Sequence, residues 1–274
     1  MRMEKAILVF RKDFLEITRN REVVIPMLIL PLIFALVLPA VSFLAIPNNT
    51  NPGGNDAAAI GNILSNLPQS VQRVISNYSP LQQTQYVMVV YFFAPFFLII
   101  PIMSSSVIAS DSFAGEKERN TIEALLATPL TDSELLFGKI LVSFIPGMGV
   151  TLLGFILYTA TVDILGYQSF GGLILPTVTW LVMIFVLSPI ISLLGIAVAV
   201  VVSSRVKGFR EAQQLSAMLI IPILLLLFGQ AAGFIMLGSL VVLGLSAVFA
   251  VLALIVFKIG LGVFQRENII SQSK

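Results

Sequence analysis

The hydrophobic positions of this chain fall into six long blocks that are separated by shorter polar stretches. Each block is long enough to cross a bilayer, because a helix of about 20 apolar residues spans the ~30 Å hydrocarbon core. The pattern predicts six membrane-spanning helices, at residues 23–46, 86–108, 140–162, 173–202, 215–233 and 238–257. We therefore expect an all-α integral membrane protein, in which residues 23–274 form one six-helix transmembrane domain.

Residues 1–22, which precede the first block, have a different pattern. Apolar side chains recur every three or four residues and so share one helical face: Met3, Ile7, Phe10, Phe14 and Ile17. Basic side chains occupy much of the remaining surface: Lys5, Arg11, Lys12, Arg19 and Arg21. This arrangement predicts an interfacial amphipathic helix whose contacts with lipid include Phe10, Arg11, Phe14, Arg19 and Arg21. Packing against the protein's own helix ends is an alternative that does not exclude lipid contact.

Composition and charge agree with a membrane protein and give it an orientation. Of 274 residues, 57% are hydrophobic and 11% are charged, which is too little polar surface for a soluble globule. The connections between spans alternate between the two sides of the membrane. On the side opposite the N-terminus, Arg73 in the 47–85 loop is the only basic residue of the sequence's connections. Because basic residues stay on the cytoplasmic side, both termini and the 109–139 region are predicted to be cytoplasmic, and residues 47–85 form an outer loop.

The stretch DSFAGEKERNTIEALLATPLTDSELLFGK, residues 111–139, interrupts the apolar pattern. Asn120 is a good N-cap with Glu123 three positions later, and Pro129 disfavours helix at the residue before it. A second helix start follows at Thr131, again with a glutamate three residues on. The sequence therefore predicts a short helix, a sharp turn and a second helix that continues into the third span.

The short helix carries a small apolar patch of Ile122, Leu125 and Leu126. A helix of two turns is marginal alone and must pack against something. It either folds back on the chain's own helix ends or fits a groove of a partner, with the charges of residues 116–119 at the rim of that contact. The residues alone leave these two interpretations nearly even.

The stretch EKERNTIEALLATPLTDSELLFGK resembles the cytoplasmic signature of ABC-2 family permeases of ATP-binding cassette transporters. The positions that match are Glu116, Glu118, Arg119, Thr121, Glu123, Leu125, Leu126, Thr128, Pro129, Gly138 and Lys139. Thr121 follows Arg119 by two positions rather than by the longer spacing of the family pattern. RKDFLEITRNREVVIPMLILPLIF near the N-terminus and QQLSAMLIIPILLLLFGQ in the fifth block are also similar to the family.

The resemblance implies an exporter half that works with a second permease chain, identical or homologous, and with two separate ATPase subunits. It implies a cytoplasmic coupling helix that docks on the ATPase, with the following residues in the docking region: Glu116, Glu118, Arg119, Asn120, Thr121, Ile122, Glu123, Leu125, Leu126 and Pro129. No nucleic acid is expected as a partner. This chain is expected to bind no cofactor, with ATP and Mg²⁺ on the partner ATPase.

The sequence supplies no nucleotide site of its own. A P-loop needs G-x-x-x-x-G-K-[ST], and around the Gly138-Lys139 pair the flanking positions are Ser133 and Ile140. We therefore expect a permease without ATPase activity, hence not an enzyme.

A standalone secondary transporter or channel is the alternative. Ion-coupled carriers usually hold ionisable residues inside the membrane, but here Glu22, Asp163 and Lys258 lie at the ends of the blocks. A membrane-bound enzyme is less favoured, because the chain has neither Cys nor His to act as nucleophile, base or zinc ligand.

Polar and proline residues inside the blocks have a structural interpretation. Ser104, Ser105, Ser106 and Gln230 are the few groups that a cargo or partner helix could touch, but most hydroxyls here are expected to bond carbonyls of their own helix. The prolines are expected to produce local kinks.

Overall fold

A computed structural model of the chain describes residues 3–44, 67, 69–119, 121, 130–206, 208–232 and 235–263. The regular secondary structure of these residues is all helical, without a strand. The helices are α1 Met3–Arg19, α2 Arg21–Leu44, α3 Gln69–Ile75, α4 Pro80–Glu118, α5 Asp132–Phe170, α6 Val178–Ser203, α7 Phe209–Ala231 and α8 Ser239–Gly262. Within the described part of the chain, six helices are long and apolar enough to cross a membrane: α2 and α4 to α8. The prediction of an all-α protein with six spans is confirmed.

Successive spans run in opposite directions, so the connections gather at two ends of the bundle. One end carries α1, the α4–α5 junction and the α6–α7 junction, and we call it the charged end. The opposite end carries α3 and the α5–α6 connection. The described basic residues of α1 and of both junctions therefore share one end, while Arg73 in α3 lies at the other. The side of the membrane that the charged end faces stays a prediction.

Helical structure extends into two of the predicted connections. Helix α4 begins at Pro80 instead of 86, because Ser79 caps it in a capping box with Gln82. The same helix continues to Glu118, and α5 begins at Asp132 after the Thr131 capping box predicted from sequence. Helix α4 therefore begins within the predicted outer loop, residues 47–85, and both flanks of the predicted 109–139 coupling region are helical.

The α5–α6 boundary also differs from the prediction. Helix α5 runs to Phe170 rather than ending at 162, and Gly171 stops it with a φ of 67°, a conformation that glycine adopts without strain. The backbone N–H groups of residues 174 and 175 then donate to Asp163 Oδ1, at 2.8 and 3.0 Å. These two residues therefore belong to the connection between the helices and not to α6. Helix α6 begins at Val178 instead of the predicted residue 173, and Thr177 is its N-cap.

Prolines change the helical pitch locally without breaking the spans. A proline lacks the N–H and clashes with the carbonyl four residues earlier, and a wide π-helical turn accommodates both effects. Three such turns each end two or three residues before a proline: Ile33–Val37 before Pro39, Met88–Phe92 before Pro95, and Met183–Leu187 before Pro189. Pro26, Pro31 and Pro101 lie inside regular α-helix, and the local kinks expected at the prolines stay a prediction.

The wide turn in α4 is held by three other spans. The carbonyl oxygens of residues 89, 90 and 91 accept hydrogen bonds from the Tyr158 hydroxyl at 2.6 Å, Trp180 Nε1 at 2.8 Å and Gln230 Nε2 at 3.2 Å. The Tyr158 and Trp180 rings also stack, with 4.8 Å between centroids. Buried carbonyls need such partners, so these contacts fix α4 against α5, α6 and α7.

Serines in the middle of α4 allow close helix contact. Ser105 Oγ donates to the Pro101 carbonyl at 2.7 Å and lies 2.5 Å from Ser192 Oγ of α6. Ser106 Oγ also bonds a carbonyl of its own helix. A Cβ at Gly147 of α5 would lie 2.6 Å from Ser105 Oγ, so glycine is needed for the two helices to approach. The expected hydroxyl-to-own-helix bonds are thus confirmed for Ser105 and Ser106.

Candidate functional site

Helix α1 lies against the beginning of α5. Its buried face consists of Ala6, Val9, Asp13 and Ile17, spaced three or four residues apart. Gly138 makes the contact possible, because an added Cβ there would lie 2.8 Å from both the Ala6 carbonyl oxygen and Val9 Cβ. One face of α1 is therefore fixed to the protein by close backbone approach.

The buried face of α1 is offset from the apolar face that was predicted to lie on lipid. Met3 and Ile7 are about half exposed, at 53% and 52%, and Phe14 is also exposed, whereas Ile17 is buried. Hydropathy did not indicate the packed face, because this face includes a carboxylate, Asp13, and a small residue, Ala6, which lies opposite Gly138 of α5. Packing on the chain's own helix ends, the alternative considered for α1, is thus present.

The residues predicted to contact lipid remain largely available. Phe10 is half-buried and stacks on Phe14, with 5.7 Å between ring centroids. Arg11, Arg19 and Arg21 are exposed. Contact of this surface with lipid headgroups stays a prediction.

Charged side chains from three helices meet where α1 crosses α4 and α5. They are Lys12, Asp13, Glu16, Asp111, Glu116, Arg119 and Lys139. We call these seven residues the charge cluster. Four of its members, Asp13, Asp111, Glu116 and Lys139, are buried. Buried charges are costly without partners, so the pairing within the cluster decides its stability.

Glu116 is the centre of the cluster. Its Oε1 lies 2.8 Å from Lys12 Nζ of α1, and its Oε2 lies 2.5 Å from Lys139 Nζ of α5. Lys139 also donates to the carbonyl and hydroxyl oxygens of Ser112. Asp13 accepts a bond from Ser112 Oγ at 3.0 Å and lies 3.0 Å from Lys12 Nζ. One carboxylate of α4 therefore joins α1 to α5.

Arg119 closes the cluster at the last turn of α4. Its Nη1 lies 3.0 Å from Asp111 Oδ1, eight residues earlier in α4, and its Nη2 lies 3.1 Å from Glu16 Oε1 of α1. Gly115 leaves room for this arrangement, because a Cβ there would lie 2.7 Å from Asp111 Oδ1 and 3.0 Å from Arg119 Nη1. The end of α4 is thereby held onto α1.

The two residues between Glu116 and Arg119 point to the α6–α7 junction. Lys117 Nζ donates to the Val206 carbonyl at 3.2 Å, and Glu118 Oε2 accepts from the Phe209 backbone N–H at 2.8 Å. Phe209 begins α7, whose first N–H groups have no partner within the helix. The four successive charged residues 116–119, which we call the anchor segment, therefore bind α1, α5, the α6–α7 junction and α7.

Two of the cations outside the membrane-spanning segments stay charged. Burial lowers the pKa of Lys12, but the hydrogen bond to Glu116 and the negative charges of Asp13 and Glu116 outweigh it, so the pKa lies above its ordinary value. Burial likewise lowers the pKa of Arg119, and the hydrogen bond to Asp111 with the charges of Asp111 and Glu16 raises it further than burial lowers it. Both side chains are therefore cations at neutral pH.

The structure changes the interpretation of the predicted docking residues. Residues 116–119 were expected at the rim of a partner contact, and for Glu116 this is wrong, because its carboxylate is enclosed by two lysines and it is 1% exposed. Glu118 and Arg119 also bond within the chain, and Thr121 Oγ1 donates to the Glu116 carbonyl at 3.2 Å. The other predicted docking residues lie outside the described residues: Asn120, Ile122, Glu123, Leu125, Leu126 and Pro129.

Sequence reasoning gave no role at this site to six residues: Lys12, Asp13, Glu16, Asp111, Ser112 and Lys139. Lys12 was named only as a basic residue of α1, and Lys139 only as a match to the family signature. A signal was present for Asp13, which continues the three-and-four spacing of the buried face of α1. Asp111 and Ser112 directly follow an apolar run and Lys139 directly precedes one, so they looked like the boundaries of spans.

Comparison with known families decides the class of this protein. The profile of the family described as ABC-2 family transporter protein matches residues 7–242. The chain belongs to this family. The ABC-2 match covers α1 from Ile7 onward, the charge cluster and the first five spans, and it reaches into the sixth. No curated protein matches the chain. The chain is therefore a multi-pass ABC-2 transport permease.

Proposed function

We propose that this ABC-2 permease is the transmembrane half of an ATP-driven exporter. It pairs with a second permease chain, identical or homologous, and with two separate ATPase subunits that bind ATP and Mg²⁺. This chain binds no cofactor. The charged end faces the cytoplasm, both termini lie there, and the exposed side of α1 rests on the lipid headgroups of the cell membrane.

The observation that carries this proposal is the anchorage of the two helix ends that flank residues 120–129. On one flank the anchor segment binds α1, α5 and α7. On the other flank α5 starts with the Thr131 capping box and returns to the cluster through Lys139. A force on the middle of residues 120–129 is therefore passed to several helices at once.

This arrangement suits the conversion of ATPase motion into helix motion. The leucine patch, Leu125 and Leu126, docks in a groove of the ATPase subunit in the helix-in-groove mode. Closure of two ATPase subunits on ATP pushes residues 120–127, and the anchor segment carries the push into both permease chains. The paired six-helix bundles then rock between inward-facing and outward-facing states.

The position of the buried charges favours an external energy source. Among the described residues, the fully buried charged side chains lie at the charged end: Asp13, Asp111, Glu116, Glu134 and Lys139. Those of the charge cluster are engaged in fixed pairs between helices. A proton- or ion-coupled carrier would need such groups along its pathway. The sequence also has no P-loop, so we expect the purified permease alone to hydrolyse no ATP.

Co-purification tests the proposed function. The tagged permease is extracted from native membranes in mild detergent, as wild type and as Leu125→Asp/Leu126→Asp. Leu173→Asp is the matched control, because Leu173 is an exposed leucine at the opposite end. We expect an ATPase with a P-loop to accompany the wild type and the control, and to be lost from the double variant at an unchanged melting temperature.

Two results would contradict the proposal. If no ATPase accompanies the wild type under conditions that preserve complexes, a standalone transporter or channel replaces it. If the double variant retains the ATPase in full, the docking surface is not the leucine patch.

A further inference from the structure

Three exposed arginines meet at the corner where α1 turns into α2. Arg19 ends α1, Arg21 begins α2, and Arg210 of α7 lies beside this corner, because its Nη2 is 3.8 Å from Glu22 Oε1. Arg19 and Arg21 are within three residues of Glu22, so their Cα atoms lie within about 11 Å of the Glu22 Cα. We call Arg19, Arg21 and Arg210 the arginine corner.

The protein neutralises little of the positive charge at the arginine corner. Within the described part of the chain, Arg19 and Arg21 form no ion pair, and the Arg210–Glu22 pair is exposed on both sides. An exposed ion pair contributes little to stability, so Arg210 can exchange Glu22 for another anion. Helices α2 and α7 both begin at this corner, and their dipoles add to its positive potential.

Exposed apolar side chains lead away from the arginine corner on both spans. They recur at spacings of three or four residues, which puts each set on one side of its helix: Ile25, Ile29, Leu32 and Leu36 of α2, and Met218, Ile221, Leu225 and Phe228 of α7. Each set extends over about 15 Å, because a helix rises 1.5 Å per residue. This length is about half of the ~30 Å hydrocarbon core and therefore matches one leaflet.

Helices α2 and α7 are neighbours at the charged end. Val23 of α2 and Phe209 of α7 belong to one apolar cluster with Val107 and Ile108 of α4. Both spans therefore pack on α4 next to the arginine corner, and one lipid can contact both of them.

An anionic phospholipid matches these features in charge and in shape. Its phosphate accepts bidentate hydrogen bonds from guanidinium groups, and its acyl chains cover apolar side chains within one leaflet. A second identical chain seated directly on the corner would bring arginines against arginines, because a two-fold interface places the same patch of both chains together. Charge complementarity therefore favours the lipid as the occupant.

We infer that the arginine corner and the adjoining exposed sides of α2 and α7 form a binding site for one anionic phospholipid. The inference goes beyond the proposed contact of α1 with lipid headgroups, because this site requires a residue of the fifth span. It does not depend on an ATPase.

Quenching by brominated lipids measures lipid preference at a chosen position. The chain contains no cysteine, so a single bimane fluorophore can be attached at Met218→Cys of α7, about 12 Å along the helix from Arg210. The comparison label is Val251→Cys of α8, because Val251 is 57% exposed and Met218 is 60% exposed, and because it stands seven residues before the exposed Lys258. The full chain is reconstituted in mixtures of phosphatidylcholine and phosphatidylglycerol, with dibrominated acyl chains on one of the two lipids. The quenching gives the ratio of the two binding constants at each label.

Three variants assign the preference to individual charges. Arg19→Gln/Arg21→Gln/Arg210→Gln removes the arginine corner. Lys258→Gln is the matched control, because it removes an exposed cation of another span at the same end. Glu22→Gln removes the carboxylate that competes for Arg210. The melting temperature is recorded for each variant.

We expect the Met218 label to favour phosphatidylglycerol by about fivefold or more, because a cation near the membrane surface favours an anionic lipid by about fivefold. The preference should persist in Lys258→Gln and should rise in Glu22→Gln. The triple variant should reduce it to about one at an unchanged melting temperature, without changing the preference at the Val251 label. Glu22→Gln keeps the test valid even if the triple variant does not fold.

Several results would overturn the inference. They are equal quenching of the Met218 label by both lipids in the wild type, a preference that survives the triple variant, and a preference that Glu22→Gln does not raise. A Met218 label that neither lipid quenches, while the Val251 label is quenched, also overturns it, because protein then covers the site. None of these results bears on the co-purification of an ATPase, so the proposed function would stand.

Discussion

Replacing Lys139 by methionine is the most severe test of the charge cluster. The lysine side chain is fully buried, and its ammonium bonds Glu116 and both oxygens of Ser112. Methionine keeps an unbranched apolar chain and removes the charge. Glu116 then retains Lys12 at 2.8 Å, and Asp13 retains Lys12 and Ser112. The wild-type cluster holds four carboxylates and three cations. In the variant, two cations remain for the four carboxylates.

The expected cost follows from this partial loss. Removing one partner of a buried ion pair costs about 3–5 kcal/mol, and because Lys12 remains we expect the lower value, about 3 kcal/mol. For a chain of this size 1 kcal/mol lowers the melting temperature by about 2–4 °C, so the variant should melt about 6–12 °C below the wild type. The fluorescence of the single tryptophan, Trp180, which is buried among the spans, reports unfolding in detergent.

Two further variants show whether the loss comes from the pair. Arg11→Met removes an exposed cation of α1 and should stay within about 0.5 kcal/mol of the wild type. Glu116→Gln/Lys139→Met removes both charges and should recover part of the loss, because neither is left unpaired. If Lys139→Met melts with the wild type, Lys139 is not paired in the folded permease and the description of the cluster is wrong.

Three other predictions follow from the same structure. Gly138→Ala should lower the melting temperature, because its Cβ would meet the α1 backbone, whereas Gly149→Ala in the same helix has open space and should be neutral or stabilising. Trp180→Phe and Tyr158→Phe each leave a buried α4 carbonyl without its side-chain donor, so each should cost about 1–3 kcal/mol in thermal unfolding, and equal stability would refute the role of these bonds. The raised pKa of Lys12 means that its stabilising effect is complete below its unfolded pKa of 10.5 and is lost as pH rises through the higher folded value. The melting difference between wild type and Lys12→Gln should therefore be constant from about pH 6 to about pH 9 and shrink only at higher pH, and a difference that already falls in the neutral range would contradict it.

Much of the fold is predictable from sequence because it depends on local patterns. The six spans follow from apolar runs, and the start of α5 follows from Thr131 and Glu134, which form the predicted capping box. Where a cap lies outside an apolar run, as with Ser79 before α4, the boundary shifts by several residues. Hydropathy measures the composition of a segment and not its hydrogen bonds, which explains these errors.

The site is less predictable, because it depends on three helices that are distant in sequence. Lys12, Glu116 and Lys139 each look like a charge at the edge of an apolar run. They become one network only when Gly138 lets α1 approach α5. Likewise, nothing near Glu118 in the sequence indicates that its acceptor role is directed to Phe209, 91 residues later.

Photocross-linking at Leu125 in native membranes tests the central claim most directly, namely that the segment between α4 and α5 docks on an ATPase. A benzophenone amino acid replaces Leu125, and the same substitution at exposed Leu173 serves as control. Our account predicts a cross-linked product from Leu125 whose peptides identify a second protein with a P-loop, and none from Leu173. Cross-links from Leu125 only to the permease itself would contradict it and make the leucine patch part of the chain's own packing.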